Sequence, residues 1–204
     1  KLYVFEDKYD PKQKKMITHS IPTKEDVSKM TTKEKLGHMT MDFMWYRGMI
    51  IQHLIDLEMT LDMILTAYFN PEMPNDFNTF LLNTGFVDFG RKVNILSYIL
   101  DKNGYPDFLK ENSKKELTNN SFINELREWN SKRNDLAHCK LAGHDEVARE
   151  YDGDRISFWS SKNGTTEIKA KKMSEFNLEL KEVIDINNRL IIFLNTNFST
   201  AKES

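Results

Sequence analysis

The chain has 204 residues and a formal net charge of −2, with 29 Lys and Arg against 31 Asp and Glu. The length predicts a single domain with a sizeable core. The balanced charge argues against the global basic field of a protein that coats nucleic acid. The single cysteine, Cys139, excludes an intramolecular disulfide, and no Cys/His cluster has the spacing of a zinc site. Without a second cysteine or an evident base, Cys139 is a poor candidate for a nucleophile.

The first third of the chain predicts a polar arm followed by a long helix. Residues 1–35 are polar and are interrupted by Pro11 and Pro22, so we expect an arm with little core of its own. A helix is predicted for residues 33–69, where apolar residues recur at steps of three and four until Asn70-Pro71 ends the pattern. These residues are Ile50, Leu54, Leu57, Leu61, Ile64 and Tyr68.

Two further helices are predicted in the middle of the chain. Residues 76–102 repeat the helical spacing and stop at Asn103-Gly104. Residues 122–141 form the next helix, preceded by the N-cap candidates Asn119, Asn120 and Ser121. No run of about 18 apolar residues predicts a membrane span, so a cytoplasmic location is the default expectation.

The last quarter of the chain changes from helical to strand patterning and back. Short strands are predicted at residues 146–151, 155–160 and 165–169, separated by the turn signals Asp152-Gly153 and Asn163-Gly164. A final helix is predicted for residues 174–198. We therefore expect a mainly α fold, a helical bundle with a small β-meander before the last helix. Residues 36–204 would form one helical domain, with the β insertion at about 146–169.

The clearest chemical signal is the segment from Arg133 to His138, near the end of the third predicted helix. Arginine is always charged and suited to gripping a phosphate, and histidine can move a proton near neutral pH. Asn130, Asn134 and His138 lie one turn apart, so their side chains could form a hydrogen-bonded line that orients the imidazole. Asp135 is a further candidate supporting residue. The segment also lies in a stretch with a slight excess of cations, which a solvated helix face explains equally well.

Arg133 itself continues an apolar stripe on the same helix. The other members of the stripe are Phe122, Leu126, Trp129 and Leu136. An arginine there requires that the stripe turn outward, that Arg133 meet a carboxylate of its own chain, or that the stripe meet a second chain.

The spacing of Arg133 and His138 raises a geometric problem. Five residues apart on an ideal helix, they are separated by about 140° and about 7.5 Å of rise, so they do not share a face. Either the last helical turn loosens, or a two-fold axis places two copies of the helix side by side. The apolar stripe favours the second route, because a symmetric interface uses the same patch twice.

The pattern Arg-Asn-x-x-Ala-His, at the end of a helix in a helical domain, resembles the HEPN superfamily. Arg133 matches the motif arginine, Asn134 its polar follower, Ala137 the small residue before the histidine, and His138 the histidine. The resemblance covers about residues 40–198 and is specific only over 129–141, and the predicted strands depart from it. It implies a HEPN-like up-and-down bundle of four to five helices, and a homodimer whose two motifs form one composite site.

The resemblance also implies an activity, that of a metal-independent endoribonuclease without a cofactor. The RNA 2′-OH would attack the adjacent phosphate, with His138 as base or acid, Arg133 as the phosphate clamp, and Asn134 orienting His138 or touching phosphate. DNA lacks the 2′-OH and would not be cleaved. Family members often act in phage defence or in toxin–antitoxin pairs, so an antitoxin or defence protein is an expected partner.

Two other interpretations stay open from the sequence. The chain could be a HEPN-like binding or dimerisation module without catalysis. It could also be an unrelated bundle, in which Arg133 pairs with an acidic residue of its own chain such as Asp135, Glu128 or one on a neighbouring helix.

Overall fold

The fold was analysed in a computed structural model that describes residues 2–5, 17–20, 22–69, 72, 77, 87–103, 105, 119–162 and 165–198. The helices are α1 Lys24–Lys29, α2 Thr32–Phe69, α3 Phe89–Asn103, α4 Asn119–His138, α5 Asp145–Glu150 and α6 Met173–Phe198. The strands are β1 Leu2–Phe5, β2 Ile17–Ser20, β3 Lys140–Leu141, β4 Arg155–Lys162 and β5 Thr165–Lys172.

The long helix α2 is the centre of the fold. It packs against α3, α4, α5 and α6, and its apolar residues at three- and four-residue steps are buried in one hydrophobic core. A small antiparallel sheet in the order β3-β4-β5 precedes α6. The prediction of a mainly α helical bundle with a small β-meander before the last helix is therefore confirmed.

The polar segment 1–35 contains more structure than its sequence predicts. Strands β1 and β2 pair as an antiparallel hairpin. Helix α1 begins at a capping box, in which the Thr23 side chain accepts a hydrogen bond from the Asp26 amide while the Asp26 carboxylate accepts from the Thr23 amide. Val27 of α1 is buried in the same core as α2. Among residues 22–35, whose burial is described, Val27 is buried and the others are exposed or half-buried, so this part contributes one residue to the core.

The β-meander begins earlier than predicted, and its first predicted strand is wrong. Residues 146–151 lie mostly in α5, where acidic residues in the first turn and Arg149 in the last complement the helix dipole, and Ala148 is buried. The first strand is instead Lys140–Leu141, whose residues pair with Trp159 and Phe158. This pairing also explains why α4 ends at His138 and not at the predicted residue 141.

The turn predicted at Asp152-Gly153 is present. The Asp152 carboxylate accepts hydrogen bonds from the amides of Asp154 and Arg155, at 3.0 and 3.2 Å. Gly153 has φ +83°, and a Cβ there would lie 3.0 Å from a methyl carbon of Val27, so the turn requires glycine. The second predicted turn, Asn163-Gly164, lies outside the described residues.

The remaining helix predictions agree with the structure to different extents. The first long helix and the last helix match α2 and α6 to within one residue at each end. The helix predicted for residues 76–102 matches α3 from Phe89 onward, and most of its earlier part lies outside the described residues. Within the described part of the chain, none of the helices combines the length and apolar character that crossing a membrane requires.

Candidate functional site

Helix α4 carries the whole Arg133–His138 segment and stays regular to its end. The Cys139 amide donates to the Asp135 carbonyl at 2.9 Å, a bond of the α-helical i to i−4 type. The loosened last turn that could bring Arg133 and His138 together is therefore not present. The two side chains leave the helix about 140° apart, as an ideal helix requires.

The apolar stripe of α4 belongs to the core of its own chain. Phe122, Leu126, Trp129 and Leu136 are all buried among residues of the other helices. The expectation that this stripe joins two chains is therefore wrong. The physical reason is that α2 and α3 already cover it. Any contact between two copies near the motif has to use the exposed faces at the end of α4.

Arg133 is held by a carboxylate on the neighbouring long helix. Its Nη1 lies 2.9 Å from Oε2 of Glu58, and the arginine side chain remains 33 % exposed. The other oxygen of Glu58 lies 2.9 Å from Nζ of Lys92. Lys92 also contacts Asp62, with Nζ at 2.8 and 3.0 Å from the two carboxylate oxygens. Two cations and two carboxylates from α2, α3 and α4 thus form one neutral network.

The inner end of this network is desolvated. The Lys92 side chain is only 3 % exposed. Burial raises the pKa of the Asp62 carboxyl above its usual value, while the hydrogen bond and charge of Lys92 act in the opposite direction. The network therefore depends on Lys92 to keep two acidic side chains close together inside the bundle.

The other predicted site residues lie at the solvent-facing end of α4. Asn134, Asp135 and His138 are exposed, whereas Asn130 is half-buried near Gly90 at the start of α3. Among the described residues no hydrogen bond joins Asn130, Asn134 and His138, so the predicted polar ladder is not formed in the single chain. Of the predicted site residues, only Arg133 has a partner on another helix within the part of the chain that the structure describes.

Arg47 of α2 is a residue that the sequence analysis missed. Its Nε donates to the Leu136 carbonyl at 2.8 Å, and its Nη2 donates to the Ala137 carbonyl at 2.6 Å. These carbonyls have no partner within the helix, and a cation is favourable at a helix C-terminus. Arg47 therefore anchors the end of α4, with its guanidinium on the carbonyl of the residue that precedes His138. No sequence pattern marks this long-range contact.

Replacing Arg47 tests this anchoring role. We expect Arg47→Ala to lower the free energy of unfolding by about 1–3 kcal/mol, because two charge-assisted hydrogen bonds are removed. It should also increase hydrogen exchange at the amides of the last turn of α4. Urea unfolding and exchange measurements check both effects. Arg149→Ala, which removes an exposed arginine from α5, is the matched control, and an equal effect of the two changes would contradict the anchoring role.

The single cysteine is buried and structural in its contacts. Cys139 is 3 % exposed, and its thiol donates to the Leu136 carbonyl at 3.1 Å. Burial raises the pKa of the thiol, which outweighs the opposing charge of Arg47. Both features disfavour the thiolate, in agreement with the prediction that this cysteine is a poor nucleophile.

Comparisons with known proteins add no family assignment. No protein-family model, no curated protein and no solved structure matches the chain. Within the described residues, no three His, Cys, Asp or Glu side chains are grouped so as to hold a metal ion. The motif, its geometry and the chemistry of its side chains are thus the basis for a functional proposal.

Proposed function

We propose that the protein is a HEPN-type endoribonuclease that cleaves RNA without a metal ion, at a composite site built from Arg133 and His138 of two chains. One observation carries the proposal. Near the end of the regular helix α4, the guanidinium of Arg133 is partly exposed and held by Glu58, and the exposed imidazole of His138 follows five residues later. A fixed cation for phosphate and an accessible acid–base group are the two side chains that 2′-OH attack requires.

The chemistry assigns a separate task to each residue. His138 of one chain removes the proton from the 2′-OH, which attacks the adjacent phosphorus while the bond to the 5′-oxygen breaks, and that oxygen takes its proton from water. Arg133 binds the non-bridging phosphate oxygens and stabilises the negative charge that develops on them. Asn134 lies between Arg133 and His138 in the sequence, and its exposed side chain contacts phosphate or orients His138. The products are a 2′,3′-cyclic phosphate and a 5′-hydroxyl.

The need for two chains follows from the helix geometry. Arg133 and His138 of one α4 are separated by about 140° around the axis, so a single phosphate cannot easily contact both from one chain. A two-fold arrangement of the exposed ends of α4 would pair the Arg133 of one copy with the His138 of the other. The buried stripe takes no part in that contact.

The cellular role is proposed from the family resemblance alone. A toxin-like or phage-defence ribonuclease in the cytoplasm, restrained by an antitoxin or another defence protein, is the role that the motif favours.

RNA cleavage in EDTA tests the proposal. The purified protein is incubated with a labelled single-stranded RNA and, separately, with the DNA of the same sequence, both in excess EDTA. We expect cleavage of the RNA only, with 2′,3′-cyclic phosphate ends. Cleavage of the DNA, or RNA cleavage that EDTA abolishes, would contradict the mechanism.

The second candidate function is a HEPN-like module that binds or dimerises without catalysis. The ion pair between Arg133 and Glu58 weighs against catalysis, because a guanidinium already neutralised by a carboxylate is a weaker phosphate ligand. An acidic partner on a neighbouring helix is also what the unrelated-bundle interpretation predicts for Arg133. The second candidate function predicts no RNA cleavage under any condition and a dimer that persists when His138 is replaced. Size-exclusion chromatography with light scattering, run beside the cleavage assay, separates the two functions.

A further inference from the structure

The outer face of the three-stranded sheet is a surface that the proposed chemistry does not use. Directly opposed residues of antiparallel strands share a face. Ile156 and Ser160 of β4 are buried, and Phe158 between them packs against the core, so these three residues face the bundle. The alternating residues face away from it. On β4 these residues are Arg155, Ser157 and Trp159. The residues opposite them on β5 are Lys172, Ala170 and Ile168, and Lys140 of β3 lies opposite Trp159 on its other side.

This outer sheet face is positively charged. Lys140, Arg155 and Lys172 are all exposed on it, and no Asp or Glu shares the face over the strand positions just described. None of the three cations forms an ion pair with a described carboxylate. The carboxylates of Asp152 and Glu175 accept hydrogen bonds from the backbone amides of Arg155 and Lys172, at the end of the face away from Lys140. The face is thus locally cationic although the whole chain has a net charge of −2.

The centre of the outer sheet face is apolar and aromatic. The rings of Trp159 and His144 lie 5.8 Å apart and perpendicular to each other. Ile168, directly opposite Trp159, is 46 % exposed. A half-buried indole beside an exposed imidazole, surrounded by cations, suits unpaired bases, which stack on flat side chains while their phosphates meet lysine and arginine. An acidic protein segment would use the cations but would have little need of the indole ring.

We propose that the outer sheet face binds single-stranded RNA, namely the strand that is cut at His138, an inference that rests on the proposed function. The face spans roughly 13 Å along β4 and roughly 10 Å across the three strands, which is room for two or three stacked bases. Lys140 follows His138 by two residues, so its Cα lies at most about 7 Å from that of His138. A strand seated on the face therefore reaches the catalytic end of α4.

The test measures RNA binding separately from cleavage. A fluorescein-labelled oligouridine is titrated into His138→Ala protein, and its anisotropy is followed at several salt concentrations. In that background, replacing Lys140, Arg155 and Lys172 by Gln should lower the slope of log affinity against log salt by about 2, since each phosphate that a cation neutralises adds about 0.7 to the slope. Replacing Lys33, Lys102 and Lys181, exposed lysines elsewhere, by Gln makes the same change in net charge and should leave the slope unchanged.

The aromatic contribution has its own variants. Trp159→Leu should weaken binding between about 5-fold and 100-fold, and Trp159→Phe, which keeps a ring, should retain most of the affinity. Circular dichroism confirms that both variants fold. The proposal is overturned if the triple variant of the face and the control triple variant lower the salt slope equally. It is also overturned if Trp159→Leu binds RNA normally, or if a poly-glutamate peptide binds as tightly as the RNA. If this face binds RNA as expected but the wild-type protein cuts no RNA, the ribonuclease proposal is rejected and the proposal that this face binds RNA is retained.

Discussion

His138→Ala is expected to lower the rate of RNA cleavage by about 10²–10⁴-fold, the usual contribution of a positioned acid–base group. The side chain is exposed at the last residue of α4, and no described residue depends on it for a hydrogen bond or an ion pair. The free energy of unfolding should therefore change by less than about 0.5 kcal/mol. Initial rates with a labelled RNA, measured beside a urea unfolding curve, separate an effect on chemistry from an effect on structure.

A matched pair of variants sharpens this prediction. Ser131→Ala changes another exposed side chain, two turns earlier on the same helix, and should leave the rate of RNA cleavage unchanged. Arg133→Lys keeps a cation next to Glu58 but loses the planar fork that grips two phosphate oxygens, so cleavage should fall while stability is retained. Full activity in both His138→Ala and Arg133→Lys would show that the motif is structural.

Lys92→Met is expected to destabilise the fold by about 3–5 kcal/mol, the usual effect of removing one partner of a buried ion pair. The ammonium lies within 3.0 Å of carboxylate oxygens of both Glu58 and Asp62. Without it, Asp62 keeps its buried position but loses the cation that stabilises its charged form. Arg133 still pairs with Glu58, so the destabilisation should arise mainly at Asp62. The midpoint and slope of urea unfolding measure the effect.

Acidification should relieve part of that destabilisation. Burial already raises the pKa of Asp62 in the folded state above 3.8, and removal of Lys92 raises it further. Asp62 then binds a proton more tightly in the folded variant than in the unfolded chain. The free energy of unfolding of the variant therefore falls as the pH rises from the unfolded pKa of Asp62 to its higher folded pKa. We therefore expect the deficit relative to wild type to be largest near pH 7 and to shrink toward pH 4.

Two further variants serve as controls for the network. Asp62→Leu added to Lys92→Met should recover much of the stability, because the uncompensated buried acid is gone. Lys102→Met, which removes an exposed lysine from the same helix, should change the free energy of unfolding by less than about 0.5 kcal/mol. An equal destabilisation by Lys92→Met and Lys102→Met would contradict the importance of the buried network.

The long amphipathic helices could be predicted from the sequence because their signal is local and repeated. The periodicity in α2 and α6 continues over many turns, so the predicted limits agree with the structure to within one residue. The segment that forms α5 is only six residues long, and the turn signal Asp152-Gly153 that follows it leads to the prediction of a strand. Its helix-favouring Glu, Ala and Arg residues, with acidic residues in the first turn, are the better signal.

The candidate site was predictable only in part for a related reason. The residue types and spacing of Arg133 and His138 are visible in one helix. Their partners are not, because Glu58, Lys92 and Arg47 lie on other helices, and Arg47 is 89 residues away from the Leu136 carbonyl that it binds. The stripe through Trp129 and Leu136 showed that one face of α4 is buried, but periodicity cannot say whether the same chain or a second one covers it.

Subunit mixing tests most directly whether two chains build one ribonuclease site. Arg133→Lys and His138→Ala proteins are each expected to cleave RNA more slowly than wild type, and co-expression with two different tags allows the mixed dimer to be purified. That dimer contains one intact Arg133 and one intact His138 on opposite chains. We predict that it cleaves RNA in EDTA far faster than either parent variant. A purified mixed dimer no faster than its parents would contradict the composite site.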